Sequence, residues 1–254
     1  MASPIIELRN IEMCFGTTQL FSNVNLKVYE GESLVLVGPS GHGKSVLLKI
    51  MCGLIKPTNG EVYIRGTDFI HINDRERDNL MRTMGVLFQK NALFDSLTVS
   101  ENIAFPLHET TKKSNEEVEK IIADFLRAVD LSEAKDLFPD EISGGMQKRL
   151  GIARALALQP KIVFYDDPTA GLDPITSRVI VKLILNLKKV YNSTVVAITN
   201  DMNRAYQMAD KIGMIVEGEF ILTGSIQETK DHIDPRIHQF INGEIQGPLT
   251  DADG

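Results

Sequence analysis

Short apolar runs recur along the chain, and each has the length of a strand buried on both faces. The runs are residues 33–37, 85–88, 162–165, 194–199 and 212–216. Apolar runs without polar alternation are typical of parallel sheets, because helices cover both faces of such a sheet. The pattern therefore predicts five buried strands.

Helical patterns lie between several of these runs. In residues 116–131 the apolar positions repeat at helical spacing and leave one polar face; they are Val118, Ile121, Ile122, Phe125, Leu126 and Val129. Asp173 and Pro174 predict a second helix start, because Asp is a favoured N-cap and Pro suits the first helical position. An apolar stripe continues from there to Val190. Strand, helix and strand in this order predict an α/β fold with a parallel core.

Shorter strand patterns with turns lie nearer the two ends of the chain. They are residues 5–9, 25–29, 61–65 and 219–222, and we expect them to form an antiparallel sheet beside the core. The sequence contains no internal repeat and no low-complexity linker, which favours a single compact unit.

Composition excludes several classes of protein. Of the 254 residues, 43% are apolar and 24% are charged, as in globular proteins, and the net charge of -7 argues against a nucleic-acid partner. No apolar run is long enough to span a membrane, and residues 1–4 lack the features of a secretory leader, so a cytoplasmic location is expected. Cys14 and Cys52 have no metal-site spacing and are expected to be reduced thiols in or near the core.

A glycine-rich loop follows the first apolar run and precedes a helical pattern that starts at Val46. Its residues are Gly38, Pro39, Ser40, Gly41, His42, Gly43, Lys44 and Ser45. Glycines let the backbone approach phosphates, the helix N-terminus attracts negative charge, Lys44 would reach the β and γ phosphates, and Ser45 would ligate Mg²⁺. This order of strand, loop and helix predicts a nucleoside triphosphate site.

Two further segments have the chemistry that such a site needs. Asp166 and Asp167 follow the run 162–165, where a carboxylate can serve as a second Mg²⁺ partner, although a solvated acidic turn is the alternative. Ser143 is a predicted N-cap, and Gly144 and Gly145 leave the first helical N–H groups exposed to a second anion. If this helix start binds an anion, the phosphate must belong to a nucleotide held by a partner, because the first phosphate site already serves this chain. The alternative is an ordinary helix capped by glycine, which implies no partner.

Taken together, these motifs resemble those of the nucleotide-binding subunits of ATP-binding cassette (ABC) transporters over nearly the whole chain. The matching segments are the Walker A loop (38–45), the Q-loop glutamine Gln89, the signature (143–147), the Walker B residue Asp166 and the D-loop (170–173). The resemblance implies a P-loop NTPase cassette with a RecA-like parallel-sheet core, an N-terminal antiparallel β subdomain and an α-helical signature subdomain. The cassette would span residues 1–243, with the helical subdomain at about 90–159 and a C-terminal tail at 244–254. The composition of that tail, rich in Gly, Asp and turns next to Pro, predicts that it is mobile unless a second subunit or an accessory protein orders it.

A narrower resemblance involves residues 85–89, 92–107, 168–177 and 235–248, which are similar to the ATPases of Mla-type lipid transporters. It implies an ATPase, using ATP and Mg²⁺, that drives phospholipid movement between bacterial membranes. The implied partners are a second copy bound head to tail, a membrane permease, an MCE-domain lipid-binding protein and a small STAS-like accessory protein. The implied location is peripheral, on the cytoplasmic face of the inner membrane.

The family resemblance also implies a role for each motif residue. ATP would contact Phe15, Gly38, Pro39, Ser40, Gly41, His42, Gly43, Lys44, Ser45 and Val46, with a core position as the alternative for Phe15. The partner's ATP would contact Ser143, Gly144, Gly145, Met146, Gln147 and Asp173. Ser45, Gln89 and Asp166 would hold Mg²⁺, while Lys44, Gln89, Asp167 and Asn200 would act in catalysis.

Two of these positions depart from the family pattern. Asp167 replaces the usual glutamate and is one methylene shorter, and Asn200 replaces the usual histidine and cannot carry a positive charge. These departures leave open a regulatory cassette that binds ATP but hydrolyses it slowly. A soluble cassette acting on DNA, ribosomes or iron-sulfur assembly is the third alternative.

Overall fold

The structure, a computed structural model, describes residues 3–250. Its strands are β1 (Ile6–Phe15), β2 (Thr18–Val28), β3 (Ser33–Val37), β4 (Asn59–Ile64), β5 (Thr67–Asp68), β6 (Met84–Leu87), β7 (Ile162–Asp166), β8 (Thr194–Ile198), β9 (Lys211–Val216) and β10 (Glu219–Gly224). Its α-helices are α1 (Lys44–Met51), α2 (Asp74–Met81), α3 (Val99–Thr110), α4 (Asn115–Ala128), α5 (Gly144–Leu156), α6 (Pro174–Tyr191), α7 (Met202–Met208), α8 (Ile226–Lys230) and α9 (Pro235–Asn242). Short 3₁₀ helices occur at Ser132–Ala134 and Pro139–Glu141.

The chain divides into two compact units. Unit 1 comprises the residues up to Arg77 and those from Thr194 onward, and unit 2 comprises Asp78–Ser193. Unit 1 contains an antiparallel sheet with strand order β2-β1-β4-β5 and a second set of strands with order β10-β9-β3-β8. In the second set, β3 is parallel to both β8 and β9, and every residue of β3 and β8 is buried. These strands form the core of unit 1, as the apolar runs predict.

The predicted partner of one strand is wrong. Residues 219–222 were expected in the antiparallel sheet with the N-terminal strands, but β10 pairs antiparallel with β9, joining Glu219 to Val216. The two residues between these strands, Glu217 and Gly218, both have positive φ angles, of 48° and 78°. A two-residue turn of this kind matches the twist of a hairpin, so it returns the chain directly onto β9.

In unit 2, β6 and β7 pair in parallel and are accompanied by α3 to α6. The predicted helices 116–131 and 174–190 are confirmed as α4 and α6, although α4 ends at Ala128. Asp173 is the N-cap of α6, as predicted, and accepts from the backbone N–H groups of Ile175 and Thr176. The left-handed Asn192, with φ 47°, ends that helix.

The described part of the tail, residues 244–250, is hydrogen-bonded to α9. The buried side chain of Gln239 donates to the carbonyl oxygen of Glu244 and to the hydroxyl of Thr250, and it accepts from the N–H of Leu249. These bonds connect the stretch to α9, and the rest of the tail, residues 251–254, lies outside the described residues. Among residues 3–250, no helix is both long and apolar enough to cross a membrane.

Candidate functional site

The predicted phosphate loop connects the buried strand β3 to α1 in unit 1. Gly38 has φ 133°, and a Cβ atom there would lie 2.2 Å from the carbonyl oxygen of Ile215. Gly43 has φ 98° and serves as the N-cap of α1, with a Cβ position 2.9 Å from the side chain of Leu20. Both positions therefore require glycine, for backbone conformation and for space. By contrast, a Cβ at Gly41 would meet no heavy atom within 4 Å.

Lys44 lies inside this loop. Its ammonium donates hydrogen bonds to the carbonyl oxygens of Gly38 and Pro39, both at 2.7 Å, and the residue is buried. Its neighbour Ser45 is the second residue of α1, which starts without a side-chain N-cap hydrogen bond. Since the first N–H groups of a helix carry partial positive charge, this arrangement can bind a phosphate.

Three other predicted ATP-site residues belong to unit 1. Asn200 follows β8, and its amide nitrogen lies 3.5 Å from the hydroxyl of Ser40. His42 accepts a hydrogen bond from the backbone N–H of Glu217 through Nδ1. Phe15, at the end of β1, has 53% of its surface exposed, so the alternative of a core phenylalanine is excluded. An exposed ring of this kind is available to stack on a planar ligand.

Unit 2 contains the acidic strand end. All five residues of β7 are buried, including Asp166, and Asp167 follows with φ 47°, in the left-handed region. The last paired residues of β6 and β7 are Leu87 and Tyr165, so Gln89 and Asp167 each lie two residues past the paired ends. The register therefore brings the Q-loop glutamine to the same end of the strands as the two carboxylates. Carboxylate and amide oxygens are ligands that suit Mg²⁺.

The signature residues and the D-loop lie together in unit 2. Ser143 caps α5 by accepting from the N–H of Met146, as predicted. A groove of about 380 Å³ is lined by residues of both segments, which are Ser143, Gly144, Gly145, Met146, Arg149, Gly171, Leu172, Asp173, Thr176, Val179 and Ile180. Gln147 is not among them, because its amide donates to the carbonyl oxygen of Pro139 instead. A hydrogen bond from Thr176 is the main reason why the pKa of Asp173 is lowered.

Sequence reasoning missed Lys148, which follows the signature on α5. The residue is buried, and its ammonium donates a hydrogen bond of 2.6 Å to the carbonyl oxygen of Gln89. Burial lowers the pKa of Lys148, while the negative charges of Asp167 and Asp166 act in the opposite direction. A lysine among polar residues after a helix start carries no local signal of burial, so only the fold reveals this contact.

Comparisons with known proteins agree with this geometry. The family model described as ABC transporter matches residues 21–170. The probable ribonucleotide transport ATP-binding protein mkl of Mycobacterium leprae is 38% identical over 96% of this chain and 70% of its own length. The intermembrane phospholipid transport system ATP-binding protein MlaF of Haemophilus influenzae is 35% identical over 98% of this chain and 94% of its own length.

A solved structure shares the fold. The dimeric, post-hydrolysis state of the ATP-binding cassette MJ0796, bound to ADP and Pi, superposes with a TM-score of 0.77 and 36% identity. The match covers 84% of this chain and 95% of that one. The mixed α/β architecture with parallel and antiparallel sheets is thus that of an ABC cassette, as expected from the sequence. With the family model matched across more than half of its residues and relatives aligned along nearly all of them, this chain belongs to the ABC transporter family, as an ATP-binding subunit.

Proposed function

We propose that this chain hydrolyses ATP to drive phospholipid movement between bacterial membranes through a separate permease. The observation that carries the ATPase part is the phosphate loop, with Lys44 buried inside it and α1 starting behind it without a side-chain cap hydrogen bond. The lipid part is supported by the 35% identity to the MlaF protein of Haemophilus influenzae along almost the whole of both chains. The mkl relative is named for ribonucleotide transport, so the substrate needs its own test.

ATP would be bound by the phosphate loop residues 38–46, with Phe15 stacked on the adenine. Lys44 would balance the charge that develops on the transferred phosphoryl group, a contribution that is electrostatic and positional. Asn200 would donate its amide N–H to the γ-phosphate, since its nitrogen already faces the loop at Ser40. Ser45, Gln89 and Asp166 would hold Mg²⁺, which supplies positive charge at the β and γ phosphates.

Asp167 would orient the attacking water or accept its proton. Its left-handed backbone, with φ 47°, is a conformation that aspartate tolerates better than most residues. Strained backbone positions cluster at active sites, where the surrounding structure holds them in place. The conformation thus supports a functional position for this carboxylate immediately after the buried Asp166.

A second copy of the chain would complete each site, head to tail. The groove around Ser143 and Asp173 would receive the partner's nucleotide, with contacts from Gly144, Gly145 and Met146. Gln147 would reach that nucleotide only by giving up its bond to the carbonyl oxygen of Pro139. Support comes from α6 beside this groove, where Ile175 is 78% exposed and Val179 is 47% exposed. Exposed apolar side chains next to a polar groove are typical of protein interfaces.

The remaining parts of the proposal concern partners and organisation. The cassette would occupy residues 1–243, with a helical subdomain at about 90–159 that receives the permease and a tail at 244–254. An MCE-domain protein and a small STAS-like protein would join the complex. The assembly would sit on the cytoplasmic face of the inner membrane, where this subunit is peripheral.

A second candidate function is a regulatory cassette that holds ATP and turns it over slowly. Asp167 favours this alternative because its carboxylate is one methylene shorter than that of glutamate, and a displacement of about 1 Å can cost about 10²-fold in rate. Asn200 favours it too, because an amide donates a hydrogen bond without positive charge.

The two candidates are separated by Mg-ATP turnover of the detergent-extracted complex with its native permease. Wild type is compared with Lys44→Ala and with the double variant Asp167→Glu, Asn200→His. Turnover well above the Lys44→Ala background supports the transporter. Turnover at background that the double variant restores supports the regulatory cassette.

The lipid substrate is tested in cells. A strain carrying Lys44→Ala should lose phospholipid transport between its membranes while the protein still accumulates and reaches the membrane. Normal transport in that strain would exclude an ATP-driven role for this chain.

A further inference from the structure

The segment after β6, residues 89–94, is called the Q-loop here and has an unusual backbone. Asn91 and Ala92 are consecutive non-glycine residues in the left-handed region, with φ 59° and 50°. The side-chain oxygen of Asn91 is also buried without a hydrogen-bond partner among the described residues. Such a conformation persists only when surrounding structure holds it.

One side of α5 makes the contacts that hold the Q-loop. Lys148 donates to the carbonyl oxygen of Gln89 at 2.6 Å, and Arg154 donates to the carbonyl oxygen of Ala92. The guanidinium carbon of Arg154 also lies 4.6 Å from the centre of the Phe94 ring. Between them, a Cβ at Gly151 would come within 2.6 Å of the Leu87 side chain, so the helix approaches β6 closely. Residues three apart share a helix face, which explains why these positions act together.

The ammonium of Lys148 also acts on the acidic end of β7. The residue is only 4% exposed, and an ammonium can donate hydrogen bonds but cannot accept them. The charges of Asp167 and Asp166 interact with that of Lys148, with Asp167 contributing more. The buried ammonium thus bonds to the Q-loop backbone and interacts electrostatically with the acidic end of β7, and its removal would leave the carbonyl oxygen of Gln89 without this donor.

The helix that carries Lys148 begins at the signature. Ser143 caps α5 at its start, next to the groove that would receive the partner's nucleotide, whereas Gln89 would contact the nucleotide of its own chain. A helix moves as a rigid element, so a displacement of α5 at Ser143 would also move Lys148. The bond of Lys148 would pass this displacement to the backbone of Gln89.

We propose that Lys148 is a positioning residue that ties the Q-loop to the signature helix, so that Gln89 at one nucleotide site follows the state of the other site in the dimer. This inference rests on the proposed ATPase dimer. Beyond ATP hydrolysis itself, Lys148 would couple two nucleotide sites that are formed by different motifs of the chain. Lys148 itself contacts neither nucleotide in this scheme.

Amide hydrogen exchange of the full-length chain without nucleotide tests the link directly. Lys148→Met should speed exchange at the Q-loop amides by about 10-fold or more, because the N–H groups of Asn91 and Ala92 donate to the carbonyl oxygens of Phe88 and Lys90, at 2.9 and 2.7 Å, and opening of the loop breaks these bonds. Lys148→Arg, which keeps the charge and the donor, should restore protection. Lys182→Met makes the same change at an exposed site on α6 and should leave the Q-loop unchanged. Unaltered exchange in a folded Lys148→Met protein would overturn the proposal. If Lys148→Met fails to fold, Lys148→Arg decides, and loss of Q-loop protection in that variant would overturn the proposal.

Steady-state kinetics of the complete complex tests the coupling. Lys148→Met should lower kcat by about 10-fold or more, change KM by less than about 3-fold, and bring the Hill coefficient for ATP toward one, while Lys148→Arg remains close to wild type. A raised KM with unchanged kcat and Hill coefficient would overturn the coupling role. If the wild-type complex itself hydrolyses no ATP, the proposed function fails, whereas the exchange experiment still decides whether Lys148 holds the Q-loop.

Discussion

The side-chain amide nitrogen of Asn200 lies 3.5 Å from the hydroxyl oxygen of Ser40 in the phosphate loop. Strand pairing explains this proximity. Leu36 of β3 is in register with Ile198 of β8, and the two strands are parallel, so Gly38 and Asn200 leave the sheet at the same level. The asparagine thus faces the loop because of the sheet.

Asn200→Ala should lower kcat for ATP hydrolysis by about 10²-fold and leave KM nearly unchanged, since a donor that acts mainly in the transition state is lost. Asn203→Ala is the control, because Asn203 is exposed on α7, just beyond this position. Turnover of both variants in the complete complex is the measurement. Equal activity of the two would show that Asn200 takes no part in the chemistry.

Gly38→Ala should destabilise the protein by at least about 2 kcal/mol, because the new methyl group would meet the Ile215 carbonyl oxygen at 2.2 Å and φ would remain at 133°. Gly41→Ala has open space around its Cβ but φ 85°, so only backbone strain of about 1 kcal/mol is expected. Gly144→Ala has neither problem and should be within about 0.5 kcal/mol of wild type. Urea unfolding of the three variants tests this order.

Phe15→Ala should weaken ATP binding by about 5-fold or more, since stacking of a base on an aromatic ring is worth about 1 to 3 kcal/mol. Because the ring is 53% exposed, the thermal midpoint should change little. Phe15→Tyr keeps the aromatic face and serves as the matched control. Titration with a fluorescent ATP analogue gives the affinities, and equal values for all three proteins would exclude the stacking role.

Asp234→Asn should lower the free energy of unfolding at pH 7. In acid, the difference in this free energy between the variant and wild type should disappear. Hydrogen bonds from Arg236 are the main reason why the pKa of Asp234 lies below its ordinary value of 3.8. A carboxylate with a lowered pKa contributes stability that is complete above its unfolded value and disappears as the pH falls through the folded value. Asparagine is also a good N-cap, so the start of α9 is preserved.

Urea unfolding of wild type and Asp234→Asn between pH 3 and pH 8 measures this difference. We expect a constant gap from pH 8 to about pH 5 and a shrinking gap below about pH 4. A gap that does not depend on pH would mean that the ion pair of Asp234 with Arg236 contributes nothing to stability.

Much of the local structure could be predicted from residue patterns. The periods of β3, β7, α4 and α6 and the caps at Ser143 and Asp173 depend on residues only a few positions apart. By contrast, α3 was not predicted. Pro106 lies inside it, although Thr98 and Glu101 form a capping box at its start, so two local signals conflicted and packing decided between them.

The candidate site residues could be identified from the sequence because their motifs are short and continuous. The order of strand, glycine-rich loop and helix is enough to identify Lys44, and an aspartate after an apolar run is enough to identify Asp166. Lys148 could not be found in this way, because its burial and its bond to Gln89 join segments that are far apart in the chain. The pairing of β10 with β9 could not be predicted either, since the residue pattern of a strand does not identify the strand that it pairs with.

The sequence by itself determined where strands, helices and the phosphate loop begin, because side-chain period, glycine freedom and helix capping act over a few residues. Only the tertiary structure decided that Asn200 faces Ser40, that Gln239 holds the described part of the tail, and that a buried lysine connects α5 to the Q-loop. The physical reason is that apolar burial drives the chain to collapse without specifying direction. Strand register and side-chain hydrogen bonds then select which distant segments meet.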